Sequence, residues 1–463
     1  MISHHEPSIR RRVIAIADSD SYLKWAAALM AGAPAGWDTD VIIVETAKLP
    51  SAAQREAALA GSGFDATQIA VVPLAGIAAA VASEHPDIVV VATIGPLADL
   101  VCEEILSTST STSTSGFARR PVVVSGLPGI ALPARTKALV YRSQADLIVL
   151  HSTREVRVFA ALAAANRLNH EFGLARLPFI AARGTSNNTR SSTTRGSNLI
   201  FAAQAIVPPF RHQRVHLVTQ LAAFAAQNPG TRVVVKTRTT AGESQTHDEP
   251  ISFAALVAEI AGSRVPNLVV SSGPMAEHLA EAGALVTVSS TAAIEAIALG
   301  VPVIVLDDFG VTPELINDVF IGSGLLGSLD DMLAHRFTAP TDEWLADNYF
   351  HDPETDSWHN VAEELVLKNR RGELAPRARH VRGKGGALRR AWDRKRVLGS
   401  LDSSIGGFVA LIVGYPVRFA VLAIHEVHAL VNRLAAAEIP INVPLEGETS
   451  QSAERDKRTH RAP

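Results

Sequence analysis

The 463-residue chain contains one cysteine, Cys102, so an internal disulfide framework and a Cys-rich zinc or iron–sulfur site are both excluded. A reducing cytosolic compartment is the natural reading of that usage. Charge of one sign is also missing. Lys and Arg number 43 against 46 Asp and Glu, which rules out a uniformly basic nucleic-acid coat but not a local patch. A targeting segment is not evident: after Arg10-Arg11-Arg12 only Val13–Ala17 is apolar, too short for a signal-peptide core. Gly-x-Gly-x-x-Gly and Walker lysine loops are missing from strand–helix junctions, and Gly-x-Ser-x-Gly is missing altogether. Dinucleotide redox, P-loop ATPase and nucleophile-elbow hydrolase readings therefore fall. No His, Asp and Glu cluster has metal-ligand spacing; His425 and His428 lack a companion motif. What is abundant is apolar material, 47% of residues against 19% charged, enough for sizeable cores.

The apolar residues come in short runs separated by helix-length, Ala-rich stretches. Val13–Ala17, Val41–Val44, Ile88–Val91, Val122–Val124 and Asp146–Leu150 read as strands buried on both faces. Ser152-Thr153-Arg154-Glu155 is a capping-box pattern opening a helix to about Leu168, read as the bridge out of the first domain. The Ser/Thr repeat 107–115 and the segment 185–197 read as loops, the second as a linker. The alternation then restarts with strands at Leu199–Ala202, Arg232–Arg238, Leu268–Val270, Leu285–Val288 and Val301–Leu306. The expected fold is α/β, two doubly wound Rossmann-like domains facing a cleft, over residues 10–184 and 198–335. A helical basic extension is expected over 336–445, and a disordered tail over 446–463.

The richest segment runs from Thr287 to Leu306. A strand ends in Ser289, Ser290 and Thr291, which start a helix at the carboxyl edge of the second sheet, where phosphates bind. Ser290 fits a plain helix cap as well. Glu295 lies in an otherwise apolar helix with no Lys or Arg at i±3 or i±4, so it either meets solvent or accepts hydroxyl hydrogen bonds. Lys236 and Arg238 end a strand and suit a leaving diphosphate, or are simply surface charges. His247-Asp248 follow in a polar loop. In the first domain, Asp18 and Asp20 follow strand one. Either suits a catalytic base, and either suits the cap of the next helix. His151 ends another strand on the crevice side.

Glu295-Ala-Ile-Ala-Leu-Gly-Val-Pro-Val-Ile resembles the nucleotide-sugar motif in the second domain of glycosyltransferases with the GT-B fold. The preceding Ser-Ser-Thr-Ala-Ala-Ile and the strand Val233–Arg238 resemble the capsule-polysaccharide branch. The resemblance implies that Glu295 holds the ribose, Ser289, Ser290 and Thr291 the diphosphate, and Lys236 or Arg238 the leaving charge. Thr287 stands where those enzymes commonly carry an earlier acidic residue. Gly126–Ala134, Tyr141-Arg142, Ala145–Ser152 and Phe201–Pro208 resemble an uncharacterised actinobacterial glycosyltransferase family over residues 10–330. The implied activity is sugar transfer from a nucleotide-sugar donor to a cell-envelope glycan or lipid-linked acceptor, with no metal and no cofactor. A nucleotide-sugar 2-epimerase and a non-catalytic membrane scaffold are the alternatives.

Between Lys368 and Arg396 stand twelve Lys and Arg against Glu373 and Asp393. From Pro416 the polar residues Arg418, His425, Glu426, His428, Asn432 and Arg433 share one side of a helical wheel. Residues 368–437 thus read either as a helix packed on the first domain or as an anchor to an anionic membrane at the inner face of the plasma membrane. Nucleic acid is not an expected partner.

Overall fold

The computed structural model describes residues 10–111, 120–178, 196–237, 251–380 and 386–414, with 180 and 416. Arg238, His247, Asp248, most of the 185–197 linker, the helix beyond Pro416 and the tail 446–463 lie outside the described residues. The chain forms two compact units, 1–403 and 404–463. The first holds two parallel sheets, of seven and six strands.

The first sheet comprises β1 (Arg11–Ala17), β2 (Trp37–Val44), β3 (Val71–Val72), β4 (Ile88–Ala92), β5 (Val122–Gly126), β6 (Leu147–Leu150) and β7 (Glu171–Leu174). Its order is β3-β2-β1-β4-β5-β6-β7. The second comprises β8 (Asn198–Ala202), β9 (Val233–Lys236), β10 (Leu268–Ser271), β11 (Ala282–Thr287), β12 (Val303–Leu306) and β13 (Leu326–Gly327), in the order β10-β9-β8-β11-β12-β13. Strand order reverses between β1 and β4 and again between β8 and β11. These are the two switch points, where crevices open at the carboxyl ends of the strands. Every residue of β4 and β12 is buried, as expected for strands covered by helices on both faces.

Several local expectations change. The helix after β4 spans Gly95–Ser111, so the start of the Ser/Thr repeat continues a helix instead of forming a loop. The helix after β6 spans Thr153–Ala165 and leads into β7 of the same sheet, so it is not the way out of the first domain. The Ser152 hydroxyl accepts from Glu155 N at 3.0 Å, and the Glu155 carboxylate reaches back to accept from His151 N at 3.0 Å, one residue before the N-cap. Part of the expected 336–445 extension belongs to the first-sheet core. The helix Trp358–Arg370 buries Trp358, Ala362, Leu365 and Val366 in the core of the first sheet. Gly173 leaves room for it: a Cβ there would lie 2.6 Å from Trp358 Cα.

The basic stretch is tied to acids. Arg370 pairs with Asp87 at 3.0 Å, Arg377 with buried Asp146 at 2.8 Å and Arg379 with Asp99 at 2.9 Å. Arg390 pairs with Glu103, and Arg394 with Asp402 at 3.3 Å. Among the described residues no single helix is long and apolar enough to cross a membrane.

Candidate functional site

Side chains from both sheets meet at the second switch point. Thr287 ends β11, and its hydroxyl donates to Ala202 O at the end of β8 at 3.0 Å. Ser289 is buried. Its N–H and hydroxyl both donate to Gln204 Oε1 at 3.0 Å, so Ser289 fastens the two loops together. Ser290 Oγ accepts from Ala292 N at 3.2 Å. Thr291 occupies the N-cap position of the helix Ala292–Ala298 but makes no side-chain cap bond. Ser290 and Thr291 remain partly exposed at the crevice.

Glu295 lies on the first turn of that helix, half-buried. Burial raises its pKa, while Lys24 and Lys236 pull it down through space. Lys236 ends β9 and is 7% exposed; Lys24 is an exposed residue on the helix Asp20–Ala31 of the facing domain. A carboxylate thus stands within electrostatic reach of a lysine from each domain. The sequence pattern does not single out Lys24. Its helix, Asp-Ser-Tyr-Leu-Lys-Trp-Ala-Ala, has no motif, and its partners are remote in the chain.

The loop after β8 is held by Arg214, another residue the sequence pattern does not flag. Arg214 is fully buried and donates to Pro208 O at 2.8 Å, Ile251 O at 2.5 Å and Ala205 O at 2.6 Å. Its guanidinium lies 4.8 Å from the Phe253 ring centroid. A rigid cation bonded to carbonyls from two loops fixes that crevice wall.

On the first-domain side, Asp18 follows β1 and is 3% exposed. It accepts from Ile94 N at 3.0 Å and from Ser19 Oγ at 2.9 Å. Burial raises its pKa to about 6, against those hydrogen bonds and the nearby Arg142 guanidinium. Neither Asp18 nor Asp20 caps the next helix. Ser19 holds the N-cap position, and Asp20 is an exposed first-turn residue. Arg142 is buried beneath the same switch point. It donates to Thr93 O and Tyr22 Oη at 2.9 Å and to Ser125 Oγ at 3.1 Å.

His151 is 1% exposed and has both ring nitrogens engaged. Trp25 Nε1 donates to its Nε2 at 2.8 Å, and its Nδ1 donates to Ala175 O at 2.7 Å. Burial holds its pKa down at about 4. The ring is a neutral support for Trp25, not an exposed crevice group. Trp25 in turn needs Gly126, where a Cβ would stand 2.4 Å from the indole.

The loop from Gly126 to Arg135 crosses to the second domain. A Cβ on Gly129 would lie 3.2 Å from Thr291 Cγ2, and Leu132 is buried in the cluster holding Ala292 and Ala293. Glu155 holds this loop, accepting from Ala131 N at 2.8 Å, His151 N at 3.0 Å and Tyr349 Oη at 2.7 Å. Among the described residues no group of three or more His, Cys, Asp and Glu is placed to hold a metal ion.

A two-domain α/β molecule with a lysine–glutamate–lysine meeting at its second switch point matches a family model over residues 13–365. The chain belongs to the family described as "Putative glycosyltransferase (DUF6716)". No curated protein matches it. Among solved structures it is similar to a putative UDP-N-acetylglucosamine 2-epimerase from Listeria monocytogenes, at 13% identity and TM-score 0.52, covering 81% of this chain and 100% of that one. The UDP-GlcNAc 2-epimerase from Neisseria meningitidis bound to UDP-GlcNAc gives 11% identity, TM-score 0.47 and 78% and 100% coverage. An Arabidopsis thaliana protein complexed with UDP-L-rhamnose gives 11%, 0.40, and 85% and 99%. The fold of this family member is therefore GT-B-like, two Rossmann-like domains about a cleft.

Proposed function

We propose that the protein transfers a sugar from a nucleotide-sugar donor to a hydroxyl of a cell-envelope glycan or lipid acceptor. The carrying observation is Glu295 at the second switch point, within reach of Lys236 and of Lys24 from the facing domain. In this reading Glu295 accepts the ribose hydroxyls, and Ser290 and Thr291 meet the diphosphate. Ser289 acts indirectly, by anchoring Gln204. The acceptor oxygen forms a bond to the anomeric carbon as the bond from that carbon to the diphosphate oxygen breaks. Lys236 and Lys24 neutralise the charge left on the diphosphate. The acceptor proton goes to Asp18, whose raised pKa suits a base near neutral pH; exposed Asp20 is the second candidate. Arg238 stays a candidate for the leaving charge.

The test is a thermal-shift screen with UDP, GDP, CDP, CMP, ADP and TDP on the wild type and on Glu295→Ala. A nucleotide at 100 times its Kd adds about 2.7 kcal/mol to the native state. The reading expects a shift with one base, lost in the variant; a folded protein that shifts with none of them overturns the donor-site reading and favours the scaffold. Conversion of free nucleotide sugar without any acceptor identifies a 2-epimerase instead. Membrane contact falls to the second compact unit in this reading, since ion pairs already engage much of the basic stretch. Its helix Ile405–Gly414 exposes Ile405, Phe408, Ile412 and Val413.

A further inference from the structure

A second cavity lies on the first domain, outside the donor crevice. Its volume is about 190 Å³. Pro96, Leu100 and Tyr141 line it together with Arg379, Arg389, Arg390 and Arg394. Four guanidinium groups line it, each with a carboxylate partner: Arg379 with Asp99 at 2.9 Å, Arg389 with Asp393 at 3.5 Å, Arg390 with Glu103, and Arg394 with Asp402 at 3.3 Å. The helix Gly386–Leu398 supplies three of those arginines and lies over the carboxyl edge of the first sheet. Tyr141 Oη donates to Asp393 at 2.8 Å, and Ala47 N, just past β2, donates to Val397 O at 3.4 Å.

Three observations give the cavity a chemistry. Its volume is below the roughly 300–1,000 Å³ of pockets that enclose whole drug-sized ligands, and suits one compact group. Its cations are arginines, whose planar forks match phosphate oxygens in pairs. Arg390 Nε is buried with no hydrogen-bond acceptor, a cost that an anion in the cavity relieves. The location also matters. Pro96, in the first turn of the helix Gly95–Ser111, lines the cavity, while Ile94 N just before that helix donates to Asp18. The cavity and the candidate base thus meet the start of one helix.

We propose that this cavity binds the phosphate or diphosphate group of the acceptor, holding a phosphorylated acceptor on the first domain. This assignment rests on the glycosyl-transfer reading. The experiment is calorimetric titration of the full chain with inorganic pyrophosphate, on the wild type, Lys236→Ala, Arg389→Gln/Arg390→Gln, Asp393→Asn and Arg396→Gln. Pyrophosphate is expected to bind the wild type at two sites, this cavity and the donor crevice, and to keep the cavity site in Lys236→Ala. Binding at the cavity should weaken about tenfold or more in the double variant, because each substitution loses a charge-assisted contact. It should tighten in Asp393→Asn and stay unchanged in Arg396→Gln, whose side chain is outside the cavity. Binding that is lost in Lys236→Ala and unchanged in the double variant overturns the proposal and leaves the donor reading intact. No binding to the wild type also overturns it. A failed nucleotide screen with pyrophosphate binding retained instead sinks the donor reading. Co-sedimentation with phosphatidylcholine vesicles carrying polyprenyl phosphate, lost in the double variant, marks a lipid-linked source. Pyrophosphate binding without vesicle binding marks a soluble phosphorylated acceptor.

Discussion

At the scale of single residues, two buried groups of the first domain pull stability in opposite directions with pH. Asp18 titrates near 6 in the fold against 3.8 ordinarily, so the native state holds its proton more tightly. Its contribution is complete below 3.8 and is lost as pH rises through 6, about 3 kcal/mol in all. His151 titrates near 4 against 6.5, so its contribution is present above 6.5 and lost as pH falls through 4. His170, also near 4, acts in the same sense as His151. Between pH 4 and 6 Asp18 therefore offsets part of the histidine cost. Asp18→Asn should denature more steeply in acid, losing about 3 kcal/mol relative to wild type between pH 6 and 4 in urea titrations. An unchanged profile would mean that Asp18 is not held protonated. In the transfer reaction the same shift predicts that kcat/KM rises with pH through about 6, since a base works only when deprotonated. Lys236→Ala should lower kcat by ~10²–10³ with the fold intact, the cost typical of losing a donor aimed at developing charge.

At the scale of elements, the strands that sequence reveals are those buried on both faces. Val13–Ala17, Ile88–Val91 and Val122–Val124 carry unbroken apolar runs, and each lies inside a strand of the first sheet. The strands it conceals are edges. β3 and β13 have two residues each, and β7 is the mixed Glu-Phe-Gly-Leu. Edge strands bury little, so their residues need not announce them. The site divides in the same way. Ser289, Ser290, Thr291 and Glu295 are legible because one helix and its preceding turn carry them. Lys24 and Arg214 are not, because each acts on a segment brought near only by folding. Arg214 gives this a test. Arg214→Met leaves the carbonyls of Ala205, Pro208 and Ile251 without their donor, at about 1–3 kcal/mol each. The loop after β8 should loosen, and KM for the nucleotide sugar should rise more than kcat falls. Equal losses in both constants would place Arg214 in the chemistry instead of the framework.

At the scale of the whole molecule, the two sheets exchange core residues in both directions. Leu132, from a first-domain loop, is buried with the second-domain cluster. Trp358, following second-domain elements in the chain, is buried with the first and meets Trp37 edge-on at 5.5 Å between ring centroids. Tyr349 is buried in the second cluster, yet its hydroxyl donates to Glu155 of the first domain. Such cross-strapping couples the stabilities of the two sheets, because neither core is complete without chain from beyond the other. Trp358→Ala deletes a large buried side chain, typically at a cost of 3–5 kcal/mol. If the straps couple the domains, urea unfolding is one transition for the wild type, and Trp358→Ala lowers its midpoint without splitting it. The second-domain tryptophan Trp344 and the first-domain Trp25 sit in separate clusters and report the two sheets independently. Variants that retain only one or the other should therefore unfold at coincident urea concentrations. Separate transitions, with the second sheet surviving Trp358→Ala, would mean that the exchanged residues fasten the domains without making them fold as one.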